Sequence, residues 1–237
     1  MCIIAISIDR YLTEQEIRNC FSNNPDGAGF AYVADDKVHV EKGFMTVEAL
    51  LEAYQGIPLP HVVHWRTATS GGILPEMTHP YKITEDSELF TQGDLDVSVL
   101  FHNGIISDWR TSLLNLVTSG QIKRMPKGPM NDTRMAAIMA SLPNIGDDIL
   151  EILNGKFVKI QPDGEITRWG DFEQNNGVLF SNNAYRWHRS TSKINVPPML
   201  PVRIHTFRGK RIQDLTDEEW ESYCHEEFPE SCRCWDR

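Results

Sequence analysis

The chain opens on Met1-Cys2, directly ahead of the apolar run Ile3-Ile4-Ala5-Ile6. An initiator Met is removed when the next side chain is small, and Cys is small. Processing leaves Cys2 carrying both a thiol and a free α-amine. With a reference pKa of about 7.7–8.0, that amine is partly unprotonated at neutral pH. It can take the thiol proton, directly or through a water, and return it to a leaving group. Nucleophile and general base then share one residue. On position alone the commoner reading of Cys2 is a small apolar residue starting a strand, so later segments must decide.

Three of those segments carry chemistry of their own. Pro60-His61-Val62-Val63-His64-Trp65-Arg66 reads as a strand, with the small-residue loop Thr67-Ala68-Thr69-Ser70-Gly71-Gly72 behind it. An Arg ending an apolar strand offers a planar fork suited to a carboxylate, or else a structural salt bridge. Val97–Phe101 runs into His102-Asn103-Gly104. The Gly lets a backbone N–H face a ligand and the Asn amide adds a second donor, together an oxyanion hole. The same dipeptide also suits an Asn-Gly hairpin turn. Asn131-Asp132-Thr133 precedes a helical stretch, where Asp132 taken alone reads as an N-cap.

The elements that must position these residues follow from local pattern. Residues 2–8 predict a buried central strand. Thr13-Glu14-Gln15-Glu16 is a capping-box pattern opening a helix over about 14–22. Asn23 to Gly27 is turn chemistry, and Gly27 and Gly29 stand at the start of the next strand. Paired glycines there suggest close approach of backbone to a ligand or another strand. The Asp35-Asp36-Lys37 turn makes a hairpin with Val38–Phe44. A helix is expected over 46–55, opened by Thr46 and ended by Gly56, and another over 108–118. Lys156–Gln161, the Pro162-Asp163-Gly164 turn and Glu165–Trp169 make a second hairpin.

Composition narrows the class. The 237 residues are 41% hydrophobic, enough for one sizeable core with or without an appendage. A net charge of −10 argues against a nucleic-acid or anionic-membrane surface. No apolar run reaches the roughly 18 residues of a membrane span, and no secretory signal opens the chain. The five cysteines, Cys2, Cys20, Cys224, Cys232 and Cys234, are an odd and scattered set that suits a cytoplasmic location better than a disulfide framework.

Taken together, Met1-Cys2, Asn24-Pro25-Asp26-Gly27-Ala28-Gly29, Trp65-Arg66-Thr67-Ala68-Thr69-Ser70-Gly71, His79-Pro80, His102-Asn103-Gly104-Ile105-Ile106 and Asn131-Asp132-Thr133 stand in the order and approximate spacing of one family. Over about residues 2–185 the chain resembles the class II glutamine amidotransferase domain of the N-terminal-nucleophile hydrolases. The resemblance implies an α+β fold, a four-layer αββα sandwich of two mainly antiparallel sheets with helices outside. It also implies roles. Cys2 attacks the side-chain amide carbon of glutamine, and Asn103 with the Gly104 N–H holds the oxyanion. Arg66 binds the α-carboxylate and Asp132 the α-ammonium, while Thr69 and the His79 region line the pocket. A thioester is hydrolysed to glutamate and ammonia is freed, with no cofactor. Departures stand at Asn23-Asn24, where the family often has Arg-Gly, and at Thr67 and Ser70, where one branch has Trp and His.

The resemblance divides the chain into an amidotransferase-like domain over 1–190 and a C-terminal strap with a short acidic helix over 191–237. Gly177–Tyr185 resembles a late family strand whose polar end lies near the site. Residues 190–202 read as a Pro, Ser and Thr-rich linker, and Thr216-Asp217-Glu218-Glu219 as a capping box opening a helix to about Tyr223. Cys224-His225 and Cys232-Arg233-Cys234 do not have the spacing of paired zinc knuckles, so no metal site is assigned. With about 50 residues after the family region there is no room for a synthase domain. A separate synthase or ligase partner receiving the ammonia is therefore expected. Two other readings share the scaffold: a hydrolase of another amide or γ-glutamyl substrate, and a non-catalytic binding protein.

Overall fold

The computed structural model describes residues 1–187, 206–207, 210–211 and 214–227. The linker expected over 190–202, and Cys232 and Cys234, lie outside the described residues. In chain order the elements are β1 (Ile3–Ser7), α1 (Glu14–Asn23), β2 (Ala28–Ala34), β3 (Lys37–Phe44), α2 (Val47–Ala53), β4 (His61–Trp65), β5 (Tyr81–Lys82), β6 (Gln92–Leu95) and β7 (Val99–Asn103). There follow α3 (Trp109–Thr118), α4 (Asp132–Ser141), α5 (Ile149–Ile152), β8 (Lys156–Ile160), β9 (Ile166–Trp169), β10 (Glu173–Asn175), β11 (Val178–Phe180), β12 (Thr206–Phe207), β13 (Lys210–Arg211) and α6 (Asp217–Glu227).

β1 explains the architecture. All five of its residues are buried. Ile4 and Ile6 meet Val99, Phe101, Val158 and Ile160 in one apolar layer. Ile3 and Ala5 meet Ile17, Phe21 and Leu50 of the first two helices in another. A strand covered on both faces reads as a continuous apolar run, which is why its sequence barely alternates. The large sheet has seven strands in the order β10-β11-β1-β4-β2-β3-β6, and the small sheet four in the order β5-β7-β8-β9. Every strand pair in them is antiparallel. α1 and α2 cover the large sheet, while α3, α4 and α6 join the core on the outer side of the small one. The result is the predicted α+β, four-layer αββα sandwich. Removing Phe101, fully buried between the sheets, by Phe101→Ala would cost about 3–5 kcal/mol.

Local signals set most element ends. The Thr13 hydroxyl accepts from Glu16 N–H while the Glu16 carboxylate accepts from Thr13 N–H, closing the start of α1. Asp35 and Asp36 both adopt positive φ, 52° and 54°, as the two-residue β2–β3 turn requires. The Asn103-Gly104 pair is not a hairpin turn, because β7 pairs with β8 fifty residues on, Asn103 opposite Lys156. At α4 the expectation is corrected. Asn131, not Asp132, is the N-cap: its side-chain oxygen accepts from Arg134 N–H at 2.8 Å. Asp132 is the first helical residue, and its carboxylate is spared the capping role. β6, a polar and largely exposed edge strand, is an element the sequence pattern did not suggest.

Candidate active site

β1 and β4 lie side by side, with Ile3 opposite Trp65. This register sets Cys2 next to Arg66 and Thr67. The Cys2 thiol is held by Thr67 on both sides: the Thr67 N–H donates to Sγ at 3.4 Å, and Sγ lies 3.7 Å from the Thr67 carbonyl. Asn182 Nδ2 donates to the Cys2 carbonyl at 2.8 Å, fixing the backbone at the other end. Burial pushes the thiol pKa up, while the Thr67 N–H, the amine of Met1 and Arg66 pull it back. Cys20 has burial without such relief, and its thiol is raised well above the ordinary value.

The sulfur borders a cleft of about 270 Å³. Arg66, Thr69, His79, Gly104 and Asp132 line it with Cys2, so six of the seven residues singled out in the sequence share one cavity. Asn103 is set just behind the wall: its Nδ2 donates to Ser181 Oγ at 2.8 Å, and among the described residues its buried Oδ1 has no partner. Ser181 Oγ also accepts from Ile4 N–H at 2.8 Å, tying the amide to the central strand. Gly104 is required by sterics. A Cβ there would fall 2.6 Å from His102 Nε2 and 2.7 Å from Gly155 Cα.

Asp132 accepts from Ile106 N–H at 3.1 Å and Thr133 N–H at 2.9 Å. Its carboxylate therefore sits at the mouth of α4, beside the chain that leaves β7. Arg66 is almost fully buried and gives its guanidinium to the loop behind it, Nη1 to Gly72 O and Nη2 to Ser70 O, both at 2.6 Å. The whole cleft, open solvent aside, has room of only about 20 Å³, space for a water. The loop's start is pinned by Thr67 Oγ1 donating to Asn24 Oδ1 at 2.8 Å and by Ala68 N–H donating to Asp26 Oδ2 at 2.8 Å. Asn24, flagged as a departure from the family pattern, thus supports the loop that carries Thr67.

Three buried histidines wall and back the cleft, His79 and His102 in its lining and His64 behind them. The His64 and His79 rings stack with centroids 3.8 Å apart. His102 Nε2 lies 3.3 Å from the Asn154 carbonyl, so it carries the proton there. His102 Nδ1 then accepts from the Thr133 hydroxyl at 3.0 Å, and that oxygen accepts from His79 Nε2–H at 2.9 Å. His64 Nε2 donates to the His102 carbonyl at 3.0 Å. One hydroxyl thus fixes two ring tautomers. Burial keeps all three neutral: His64 falls to about 3, His79 falls well below the ordinary value, and His102 falls less because Asp132 opposes it.

His79 itself is carried on a segment pinned to the large sheet. The buried Lys42 ammonium donates to the Glu76, Thr78 and Pro80 carbonyls at 3.0, 2.8 and 2.9 Å. It also lies 4.6 Å from the ring centres of both Tyr81 and Phe90. Burial lowers its pKa, yet three carbonyl acceptors call for three N–H donors, which only the charged form supplies. Gly29 lets this segment close in: a Cβ there would be 2.2 Å from the His79 carbonyl oxygen. Gly29 thus marks backbone approaching backbone, while Gly27, at φ +105°, faces the Thr78 and Met45 side chains. Thr67, Thr133, Asn182 and Lys42 were not singled out as site residues. Thr67 and Thr133 stand inside the family-like motifs and Asn182 in the polar end of the strand over 177–185, while Lys42 carries no signal.

No protein-family model and no curated protein matches the chain. Solved structures do. Glutamine phosphoribosylpyrophosphate (PRPP) amidotransferase from B. subtilis, complexed with ADP and GMP, superposes with a TM-score of 0.54 at 15% identity, over 76% of this chain and 42% of that one. A structure described as the allosteric regulatory enzyme of purine biosynthesis aligns with a TM-score of 0.48 at 17% identity, over 71% of this chain and 35% of that one. The match therefore spans less than half of either neighbour. What it defines is a fold. The chain has the αββα sandwich shared with the aligned part of the B. subtilis amidotransferase.

Proposed function

We propose that this chain is a class II glutamine amidotransferase-type hydrolase acting through Cys2. The observation that carries the reading is the Cys2 thiol, held by the Thr67 N–H in the same cleft as Arg66 and Asp132. A nucleophile flanked by a buried cation and a buried anion matches a small zwitterion with a reactive amide. The 81% exposed Met1 side chain leaves the initiator accessible to removal.

In the mature chain the Cys2 amine takes the thiol proton, and sulfur attacks the side-chain amide carbon of glutamine. The oxyanion receives the Gly104 N–H and the Asn103 N–H not spent on Ser181. Collapse expels ammonia, which carries away the proton held by the amine. Water then cleaves the thioester to give glutamate and restore the thiol. Arg66 takes the α-carboxylate, Asp132 takes the α-ammonium, and Thr69 and His79 shape the walls. Charged handles at both ends select a free amino acid over a neutral amide. No cofactor enters this scheme.

Residues 1–190 form the catalytic domain in this reading and 191–237 an appendage. The ammonia passes to a separate synthase or ligase. A cytoplasmic setting fits Cys2 and Cys20 as buried, unbridged thiols. No helix among the described residues is long and apolar enough to cross a membrane. The test is glutamate release from glutamine by the wild type and by Cys2→Ala, with the N-terminus read by mass spectrometry. Turnover by wild type beginning at Cys2, and none by a folded Cys2→Ala, is the expected result. A mature chain that retains Met1, or turnover by Cys2→Ala, sinks the proposal.

A further inference from the structure

Arg66 is occupied. Its fork spends two of its five N–H groups on the Ser70 and Gly72 carbonyls, and the cleft has room for about one water, so for an amino-acid carboxylate to reach it the 70–72 turn has to move. That turn sits in a tight seat. Gly71 has φ +77°, and a Cβ on it would fall 2.3 Å from Met77 Cε and 3.0 Å from the Met130 carbonyl oxygen. Between the two carbonyls held by Arg66 lies the Gly71 N–H, which donates to Asp217 Oδ1 at 3.5 Å.

Asp217 is the first residue of α6, near the C-terminal end of the chain. The same carboxylate oxygen takes Arg110 Nη2 at 3.3 Å. α6 is seated firmly. Leu215, Trp220, Tyr223 and Cys224 are buried in the cluster outside the small sheet. The Trp220 and Trp109 rings meet edge-to-face at 5.8 Å, and the Arg110 guanidinium lies 4.7 Å from the Trp109 ring centre. The start of α6 is closed by Thr216 and Glu219, each accepting the other's backbone N–H. Asp217 is therefore not needed as the cap, and its carboxylate is left for the turn.

We propose that α6 is a latch on the cleft: Asp217 holds the Ser70–Gly72 turn in the position that occupies Arg66, and release of α6 frees the turn to admit substrate. The inference rests on the reading of Arg66 as the carboxylate site. It gives the C-terminal helix a regulatory task. A macromolecule that draws α6 away would open the cleft, coupling its own docking to substrate entry.

The experiment uses the full-length protein with Asp217→Asn, Asp217→Ala and, as a control for charge on the exposed helix surface, Glu218→Gln. Two readouts need no turnover: amide hydrogen exchange across residues 70–72, and the rate at which iodoacetamide alkylates Cys2, mapped by mass spectrometry. Losing this hydrogen bond should raise both by about fivefold in Asp217→Ala, and by less in Asp217→Asn, which keeps a neutral acceptor oxygen but loses the charge. Glu218→Gln should behave as the wild type. The KM for glutamine should fall by a similar factor in the Asp217 variants. Unchanged exchange and alkylation in both Asp217 variants, or an equal rise in Glu218→Gln, overturns the latch. A wild type that never releases glutamate would instead end the functional reading, and the two turnover-free measurements would still judge the latch.

Discussion

The N-termini of α1 and α4 answer the same physical problem in two ways. Each leaves backbone N–H groups without intrahelical partners. At α1 the solution is self-contained. Thr13 and Glu16 cap each other, and Arg10 clasps the Glu16 carboxylate, with 2.8 Å between Nη2 and Oε1. At α4 the capping duty falls to Asn131, one residue earlier than the acid. Asp132 is thereby released to line the cleft and to receive the Ile106 N–H. Both ends leave the first helical residue, an acid, free of the capping bond. At α1 that acid, Glu14, is exposed and pairs with Arg18, whereas at α4 it is buried and faces the cleft.

Mutations can break or sharpen this contrast, and the largest effect should come from the residue after Asp132. Thr133→Val strands a buried acceptor on His102 and a buried donor on His79. The expected loss is about 3 kcal/mol of stability, read by chemical denaturation. A loss under about 1 kcal/mol would mean the hydroxyl is not the hub of that network.

Asp132→Asn removes the charge and keeps an acceptor for only one of the two N–H groups, of Ile106 and Thr133, that the carboxylate serves. In glutamine kinetics KM should rise about 100-fold, with a smaller change in kcat, because a charge-assisted contact to the substrate's ammonium is lost. An unchanged KM would return Asp132 to a purely structural role.

Next comes pH. His64 and His79 have folded pKa values below the ordinary 6.5 because burial disfavours the cation. The unfolded chain therefore binds more protons than the folded one below pH 6.5. Their stabilisation is complete above that pH and is lost as pH falls toward about 3, the value for His64. The slope approaches about 1.4 kcal/mol per pH unit for each histidine fully linked to unfolding. Denaturation midpoints between pH 7 and pH 4 check this. His64→Asn should flatten the profile.

The smallest effect belongs to α1. Thr13→Ala should cost about 1 kcal/mol and leave KM for glutamine unaltered. A change in KM would show that the two helix ends are not as separate as their contacts suggest.

The same contrast explains what was legible in the sequence. The α1 box, the Thr46 start of α2 and the Asp35-Asp36 turn rest on neighbours in the chain, and short-range pattern exposes them. The doubly covered β1 was legible because burial on both faces leaves an apolar run. The cap of α4 was misassigned by one residue because Asn and Asp both cap well, and only the fold shows which side chain turns back. The contacts made by Thr67, Thr133 and Lys42 are not legible for another reason. Their partners lie 31 to 65 residues away, and nothing in a Thr or a Lys announces a distant carbonyl or thiol. The motif residues were found through the resemblance. The hydroxyls and the ammonium that hold them in place needed coordinates.

Lys42 has a consequence for how the cavity can deform. One ammonium grips three successive stretches of the strip that carries His79, and Gly29 lets that strip lie flush against the large sheet. The His79 side of the cavity is thus tied directly to the large sheet. Any expansion to fit a molecule the size of an amino acid falls on the opposite rim, where only a few hydrogen bonds have to be exchanged. A tether on one flank and give on the other would let the nucleophile stay aimed while the entrance changes shape.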